Sequence, residues 1–152
     1  MSSITTYLWF DDKGEEAAEF YTSLIKNSRI TDVGRGPDGK VLVVTFELDG
    51  QQFGIINGGP HFPQTEAVSI FVACESQEEI DYLWDKLLEG GGEESQCGWL
   101  KDRYGVSWQI VPAELPKLVT DPNPVKAKAA ADAMYPMKKI DFEAIKKAYE
   151  QA

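Results

Sequence analysis

The chain has 152 residues and a mass of 16.9 kDa, with 15 Lys plus Arg against 25 Asp plus Glu, a net charge of −10 and a pI near 4.5. That length suits one domain, and 43% apolar residues, 11% of the chain being aromatic, are enough to fill its interior, which excludes global disorder. The acidic balance excludes sequence-independent binding to nucleic acid, which needs a basic footprint to displace counterions, and an anionic membrane would repel the chain.

No apolar run approaches the ~18 to 20 residues that cross a bilayer, so no transmembrane helix is expected. Met1 to Asp12 lacks a basic start and reaches acidic residues too early for a signal peptide, which makes the cytoplasm the expected location. Cys74 and Cys97 exclude a four-cysteine zinc site and allow at most one bridge; two reduced structural thiols are expected.

Ile4 to Phe10, rich in β-branched and aromatic residues, predicts a strand closed by the polar turn Asp11 to Gly14. A helix should follow from Glu15, with Ala17, Phe20, Tyr21, Leu24 and Ile25 at three and four spacing on its inner face. Arg29 to Gly36, Val41 to Leu48 and Gln52 to Asn57 then predict three strands in a meander, joined by Pro37-Asp-Gly39 and by Asp49-Gly50.

After Gly58-Gly59-Pro60 the pattern starts again. Ala67 to Ala73 predicts a strand, Ser76-Gln-Glu-Glu79 spells a capping box, and Ile80, Leu83, Trp84, Leu87 and Leu88 stripe the helix that it opens. Leu83, Trp84 and Leu87 lie 63 positions after Phe20, Tyr21 and Leu24, which implies a tandem repeat. Glu93 to Gly98 predicts a short strand or irregular edge, Trp99 to Asp102 another strand, and Ser107 to Val111 a last one ended by Pro112, so each half reads β-α-β-β-β. Beyond Pro112 the composition turns to Ala, Lys and Glu. Helices are expected on both sides of a linker at Thr120 to Pro124, with Asn123 able to cap and Pro124 suited to the first helical position. A last helix opens at Asp141, and its narrow face of Phe142, Ile145 and Tyr149 must dock on its own sheet or on a second subunit.

Gly34-Arg-Gly-Pro-Asp-Gly39 has the spelling of a dinucleotide loop, but the strand Val41 to Val44 follows where a helix would have to receive the pyrophosphate. It reads as a hairpin turn, which also disfavours a Rossmann-type site for S-adenosylmethionine. His61, the only histidine, excludes a site with two imidazoles in one subunit. It lies in a loop between the repeats, either exposed or in contact with a ligand. No serine or cysteine near it completes a hydrolytic motif. The pairs Asp11 with Asp12, Glu15 with Glu16 and Glu93 with Glu94 are assigned no chemistry, being placed at turns and helix starts.

The run Cys97 to Pro112 predicts a hairpin turning at Asp102-Arg-Tyr-Gly105, with Ser107, Gln109 and Val111 on one sheet face and Trp108 and Ile110 on the other. An inward Gln109 needs polar neighbours, water or a ligand, since an unsatisfied amide costs about 1 to 3 kcal/mol.

The duplicated unit, with Phe20-Tyr21 on its first helix and Asp102-x-x-Gly105-x-x-Trp108-Gln109 near its end, resembles the vicinal oxygen chelate superfamily of glyoxalases, bleomycin-resistance proteins and extradiol dioxygenases. Phe20-Tyr-Thr-Ser23, Asn57-Gly-Gly-Pro60, Cys97 to Asp102, Gly105 to Pro112 and Ala133-Met134 with Met137-Lys-Lys139 resemble its PhnB-like, demethylubiquinone methyltransferase-like branch. The resemblance implies an α+β fold of tandem βαβββ modules in a cupped, largely antiparallel sheet, with a C-terminal helical extension. It gives a single domain made of module one (1–58), module two (66–112) and the extension (113–152). It also implies a small-molecule site completed in a homodimer.

In metal-dependent relatives the ion's ligands are His, Glu or Gln on the first and last strands of the modules. The matching positions here are Thr6 or Tyr7, the neighbourhood of Asn57, Val68 or Ser69, and Gln109; none is His, Glu or Asp. The expectation is a metal-independent binding protein with no cofactor, whose pocket is lined by Trp9, Phe46, Asn57, Ser69, Phe71, Trp99 and Gln109. No catalytic residue is assigned; Tyr7, Cys74, Cys97 and His61 are the conceivable acids or bases. The alternative is a metal-dependent lyase, isomerase or dioxygenase using Gln109 with carboxylates or His61. A third reading, methyl transfer to a quinone-like phenol, follows from the branch's label.

Overall fold

The tightest turn of the first half sits where Asp49 and Gly50 both take positive φ, 49° and 79°, the conformation that a two-residue hairpin requires. The computed structural model describes residues 3–152. They divide into two compact units, one ending at Gln64 and the other starting at Thr65.

In the first unit β1 (Thr6–Phe10), β2 (Arg29–Arg35), β3 (Val41–Leu48) and β4 (Gln51–Asn57) form a sheet in the order β1-β4-β3-β2. The β1-β4 pair is parallel and the other two pairs are antiparallel. Helix α1 (Gly14–Leu24) packs against β3 and β4. Leu8, Phe10, Val44, Phe46, Leu48, Phe53 and Ile55 are buried along with Ala17, Ala18 and Tyr21 of the helix. The run spelled like a dinucleotide loop connects β2 to β3. Gly39 sits there at φ 81°, Gly36 N–H donates to Lys40 O, and no helix follows.

The second unit repeats the pattern with β5 (Ser69–Cys74), α2 (Gln77–Leu88), β6 (Glu93–Glu94), β7 (Trp99–Lys101) and β8 (Ser107–Pro112), in the order β5-β8-β7-β6. Strands β5 and β8 run parallel, and β8-β7 and β7-β6 antiparallel. The protein is therefore of mixed α+β class, with two four-stranded sheets and no closed barrel among the described residues. Ser76 caps α2 as its capping box predicts, its Oγ accepting from Glu79 N–H at 3.1 Å. Glu93 and Glu94 form the edge strand β6, within the short strand or irregular edge expected over Glu93 to Gly98. Glu94 there accepts the Trp84 indole N–H at 2.9 Å.

Helices α3 (Leu115–Val119), α4 (Pro124–Met134) and α5 (Phe142–Glu150) belong to the second unit. Leu115, Ala130, Ile140 and Ile145 share a core with Val111 of β8, and Phe142 and Tyr149 pack against it, so the narrow face of α5 docks on its own chain. Gln77, at the first turn of α2, fastens this extension with both ends of its amide. Nε2 donates to Ile140 O at 2.8 Å, and Oε1 accepts from Phe142 N–H at 3.1 Å. Asn123 caps α4 as its sequence position predicts, and Asp141, where the last helix is expected to open, caps α5. Among the described residues no helix is long and apolar enough to cross a membrane.

The β7-β8 turn is built around one buried carboxylate. Asp102 Oδ1 accepts from Tyr104 N–H at 2.8 Å and Val106 N–H at 3.1 Å, while Oδ2 accepts from the Trp108 indole at 3.0 Å. Replacing it with alanine strands three donors at once, and each buried unsatisfied group costs about 1 to 3 kcal/mol. Asp102→Ala is expected to lower stability to urea by at least ~3 kcal/mol, with Asp102→Asn intermediate; an unchanged midpoint would contradict this role.

Candidate functional site

Alternation along β8 sorts its side chains. Trp108 and Ile110 are fully buried, and α2, which packs on β8, buries Ile80, Leu83, Trp84 and Leu87 against that side of the sheet. Ser107 and Gln109 point to the other face, because successive strand residues alternate. Cross-strand register then builds two rows on this second face. One runs Phe71-Gln109-Trp99 across β5, β8 and β7, and the other Ser69-Ser107-Lys101-Glu93 across all four strands.

Four of the seven predicted pocket residues, Ser69, Phe71, Trp99 and Gln109, thus share one face. Gln109 Nε2 donates to Ser69 Oγ at 2.9 Å, and Gln109 Oε1 accepts no hydrogen bond from a described residue. Phe71 is 47% exposed and Trp99 half-buried, so two aromatic surfaces flank an amide with an open acceptor.

The other three predictions fare differently. Phe46 is fully buried on the α1-covered side of the first sheet, between Tyr21 and Phe53. Its parity with Val44 and Leu48 carried that signal: three apolar residues at spacing two mark the core face of a strand. Asn57 has a structural part. Its Oδ1 accepts from Gly14 N–H at 2.9 Å, capping α1 from another element because Lys13 offers no side-chain cap, and its Nδ2 donates to Val41 O at 3.1 Å. Trp9 lies on the face of the first sheet opposite Leu8 and Phe10, its ring over Gly58, its indole N–H donating to Gly59 O at 2.9 Å, and Phe62 edge-on at 4.8 Å. Only glycine leaves room there, since a β-carbon at position 58 would overlap that ring.

Of the conceivable acids and bases, Cys74 is buried, and that burial, with the Glu79 carboxylate adding to it, pushes its thiol up to about 12. Both cysteines are free. Tyr7 lies over Gly54, half exposed.

Sequence reasoning missed a second feature of the shared face. Ser107 is only 1% exposed, and its Oγ has no hydrogen-bond partner among the described residues. It lines a pocket of about 170 Å³ with Glu66, Glu93, Glu94, Trp99 and Lys101. Lys101 pairs with Glu66; their contact holds the carboxyl below and the ammonium above its ordinary pKa, so both are charged near neutrality. Among the described residues no three His, Cys, Asp or Glu are grouped so as to hold a metal ion.

Two βαβββ repeats, each with one helix on one face of a four-stranded sheet, make a duplicated α+β protein. The 3-demethylubiquinone-9 3-methyltransferase family model matches residues 2–111. A PhnB protein from Bacillus cereus, described as a putative 3-demethylubiquinone-9 3-methyltransferase, is 39% identical with a TM-score of 0.68, over 74% of this chain and 100% of that one. The chain belongs to this PhnB-like family. At the level of fold alone it is similar to a protein from Pseudomonas aeruginosa, 18% identical with a TM-score of 0.59 over 71% of this chain and 95% of that one. It is likewise similar to the fosfomycin resistance protein FosX of Listeria monocytogenes, 13% identical with a TM-score of 0.54 over 76% of this chain and 94% of that one. No curated protein matches the chain at a significant level.

Two measurements follow. Asn57→Ala, which removes the cap of α1, is expected to cost about 1 to 2 kcal/mol in urea unfolding; full stability in the variant would free Asn57 for another role. At pH 8, with only about one Cys74 thiol in ten thousand ionised, a thiol-exchange reagent should modify no more than one cysteine of the native protein. It should modify none in Cys97→Ser until denaturant is added; rapid labelling of that variant would refute the inert thiol.

Proposed function

We propose that the chain is a metal-independent small-molecule-binding protein of the cytoplasm, working as a homodimer, whose ligand lies on the open face of the second sheet. The observation that carries this reading is Gln109. Its amide sits between two partly exposed aromatic rings with one hydrogen bond to Ser69 and its carbonyl oxygen unused. Apolar walls with a few placed polar groups are the general make-up of a small-molecule site. Phe71 and Trp99 suit a flat apolar body, and Gln109 Oε1 suits a donor on its edge.

The donors at the positions where relatives hold an ion support the metal-independent part. Asn57 is committed at both ends, Ser69 and Gln109 are bonded to each other, and all are neutral amides or hydroxyls. Divalent transition ions prefer imidazole, thiolate or carboxylate, so these side chains do not fit one. Methyl transfer is disfavoured for a related reason: the one glycine-rich run that spells a nucleotide loop joins two strands.

The test uses protein dialysed against a chelator. Elemental analysis is expected to find no stoichiometric metal, and added Mn²⁺, Zn²⁺ or Ni²⁺ should leave the melting temperature unchanged. Compounds from a phenol and aryl-amide panel that raise that temperature should bind Gln109→Leu about tenfold more weakly, the loss of one good hydrogen bond. One tightly held ion per site, or ligand binding restored only by metal, would overturn the proposal. A titration with S-adenosylmethionine should be flat, and saturable binding would reinstate methyl transfer.

A further inference from the structure

The orphaned hydroxyl of Ser107 is the one buried side-chain polar atom that is unsatisfied among the described residues. Native proteins leave few such groups, because each forgoes a hydrogen bond that water would have made. Here it lines a pocket of about 170 Å³ rather than apolar packing. The charged residues on the walls are Glu66, Glu93, Glu94 and Lys101. Lys101 is bound to Glu66, and one Glu94 oxygen accepts from Trp84, whereas Glu93 forms no salt bridge among the described residues. The bond to Trp84 turns the Glu94 carboxylate to the α2 side of the sheet, so Glu66 and Glu93 stand against the single Lys101 ammonium and leave the Ser107 side of the pocket net negative. Trp99 adds an aromatic surface of the kind that attracts a cation.

We infer that this pocket takes a compact primary ammonium group, which donates an N–H to Ser107 Oγ, pairs with Glu93 and rests against Trp99. A quaternary ammonium has no N–H to offer and leaves Ser107 unpartnered. An alcohol supplies the hydrogen bond but not the charge, and an anion is repelled. Ser107 lies two residues before Gln109 on the same face of β8, so the two polar contacts stand about 7 Å apart. The inference rests on the reading of this face as the ligand-binding face and names one end of its ligand: a small amine whose apolar body reaches the Phe71-Gln109-Trp99 row.

Calorimetric titration with n-propylammonium, n-propanol and tetramethylammonium tests it on the full chain. Propylammonium is expected to bind in the millimolar range and at least tenfold more tightly than the other two. Ser107→Ala and Glu93→Gln should each weaken it about tenfold. Ser107→Ala should also raise the unliganded chain's melting temperature, since it removes a buried hydroxyl that has no partner; a loss of affinity joined to a gain in stability is not what a structural serine produces. Equal binding of the three probes, unchanged affinity in Ser107→Ala, or a lower melting temperature in that variant would overturn the inference. So would saturation of the pocket by Mg²⁺ or Ca²⁺ in competition with propylammonium. If propylammonium fails while the aromatic panel still binds and still depends on Gln109, the ammonium pocket falls and the wider reading of the face stands.

Discussion

The Asp102 carboxylate and the Trp108 indole hold the register on which the second sheet's chemistry depends. The side-chain period of a strand is two, so a slip of one residue in the β7-β8 hairpin would carry Trp108 and Ile110 out of the core and turn Ser107 and Gln109 under α2. Asp102 prevents this by joining the turn to the strand. One of its oxygens takes the backbone N–H groups of Tyr104 and Val106, and the other takes an indole N–H from the core side of β8. Gly105, at φ 84°, allows the chain to reverse tightly enough for one carboxylate to reach all three donors. What β8 presents on its other face follows from that lock.

Three amides show how the same chemical group acquires different parts. Asn57 and Gln77 use both ends of their side chains within the fold, the first as a cap for α1 and a partner for β3, the second as the fastening of the C-terminal helices. Gln109 uses one end and keeps the other open. Composition and spacing do not separate these cases. The difference lies in what stands opposite each amide, and for Asn57 and Gln77 that is backbone from 16 to 65 positions away.

The Ser107-Gln109 face of the second sheet also joins a stability deficit to a chemical opportunity. Replacing Ser107 by alanine would remove an unsatisfied group from the unliganded chain, so a serine there works against stability unless something meets it. Sites that bind polar ligands commonly carry such local costs, since a donor or acceptor already satisfied by the protein has little to gain from a ligand. The neighbouring Glu66-Lys101 pair is exposed and adds little to stability, but it draws the Lys101 ammonium to Glu66 and leaves Glu93, opposite Lys101 in the row, without a salt bridge among the described residues.

The sequence by itself determined the element order, the duplication, the hairpin at Asp49-Gly50, the Ser76 and Asn123 caps, the opening of the last helix at Asp141, and the sorting of β8 into a Trp108-Ile110 face and a Ser107-Gln109 face. These are local matters of backbone geometry, capping and period-two alternation, written within a few residues of where they act. Tertiary structure decided the rest. It placed Phe46 in the core, committed Asn57 to α1, docked the last helix on its own chain through Gln77, and drew Glu66, Glu93 and Lys101 around a hydroxyl left without a partner. Those outcomes depend on which strands lie side by side and which long-range groups meet, and strand pairing across dozens of residues is set by the burial of the whole sheet rather than by any short stretch of it.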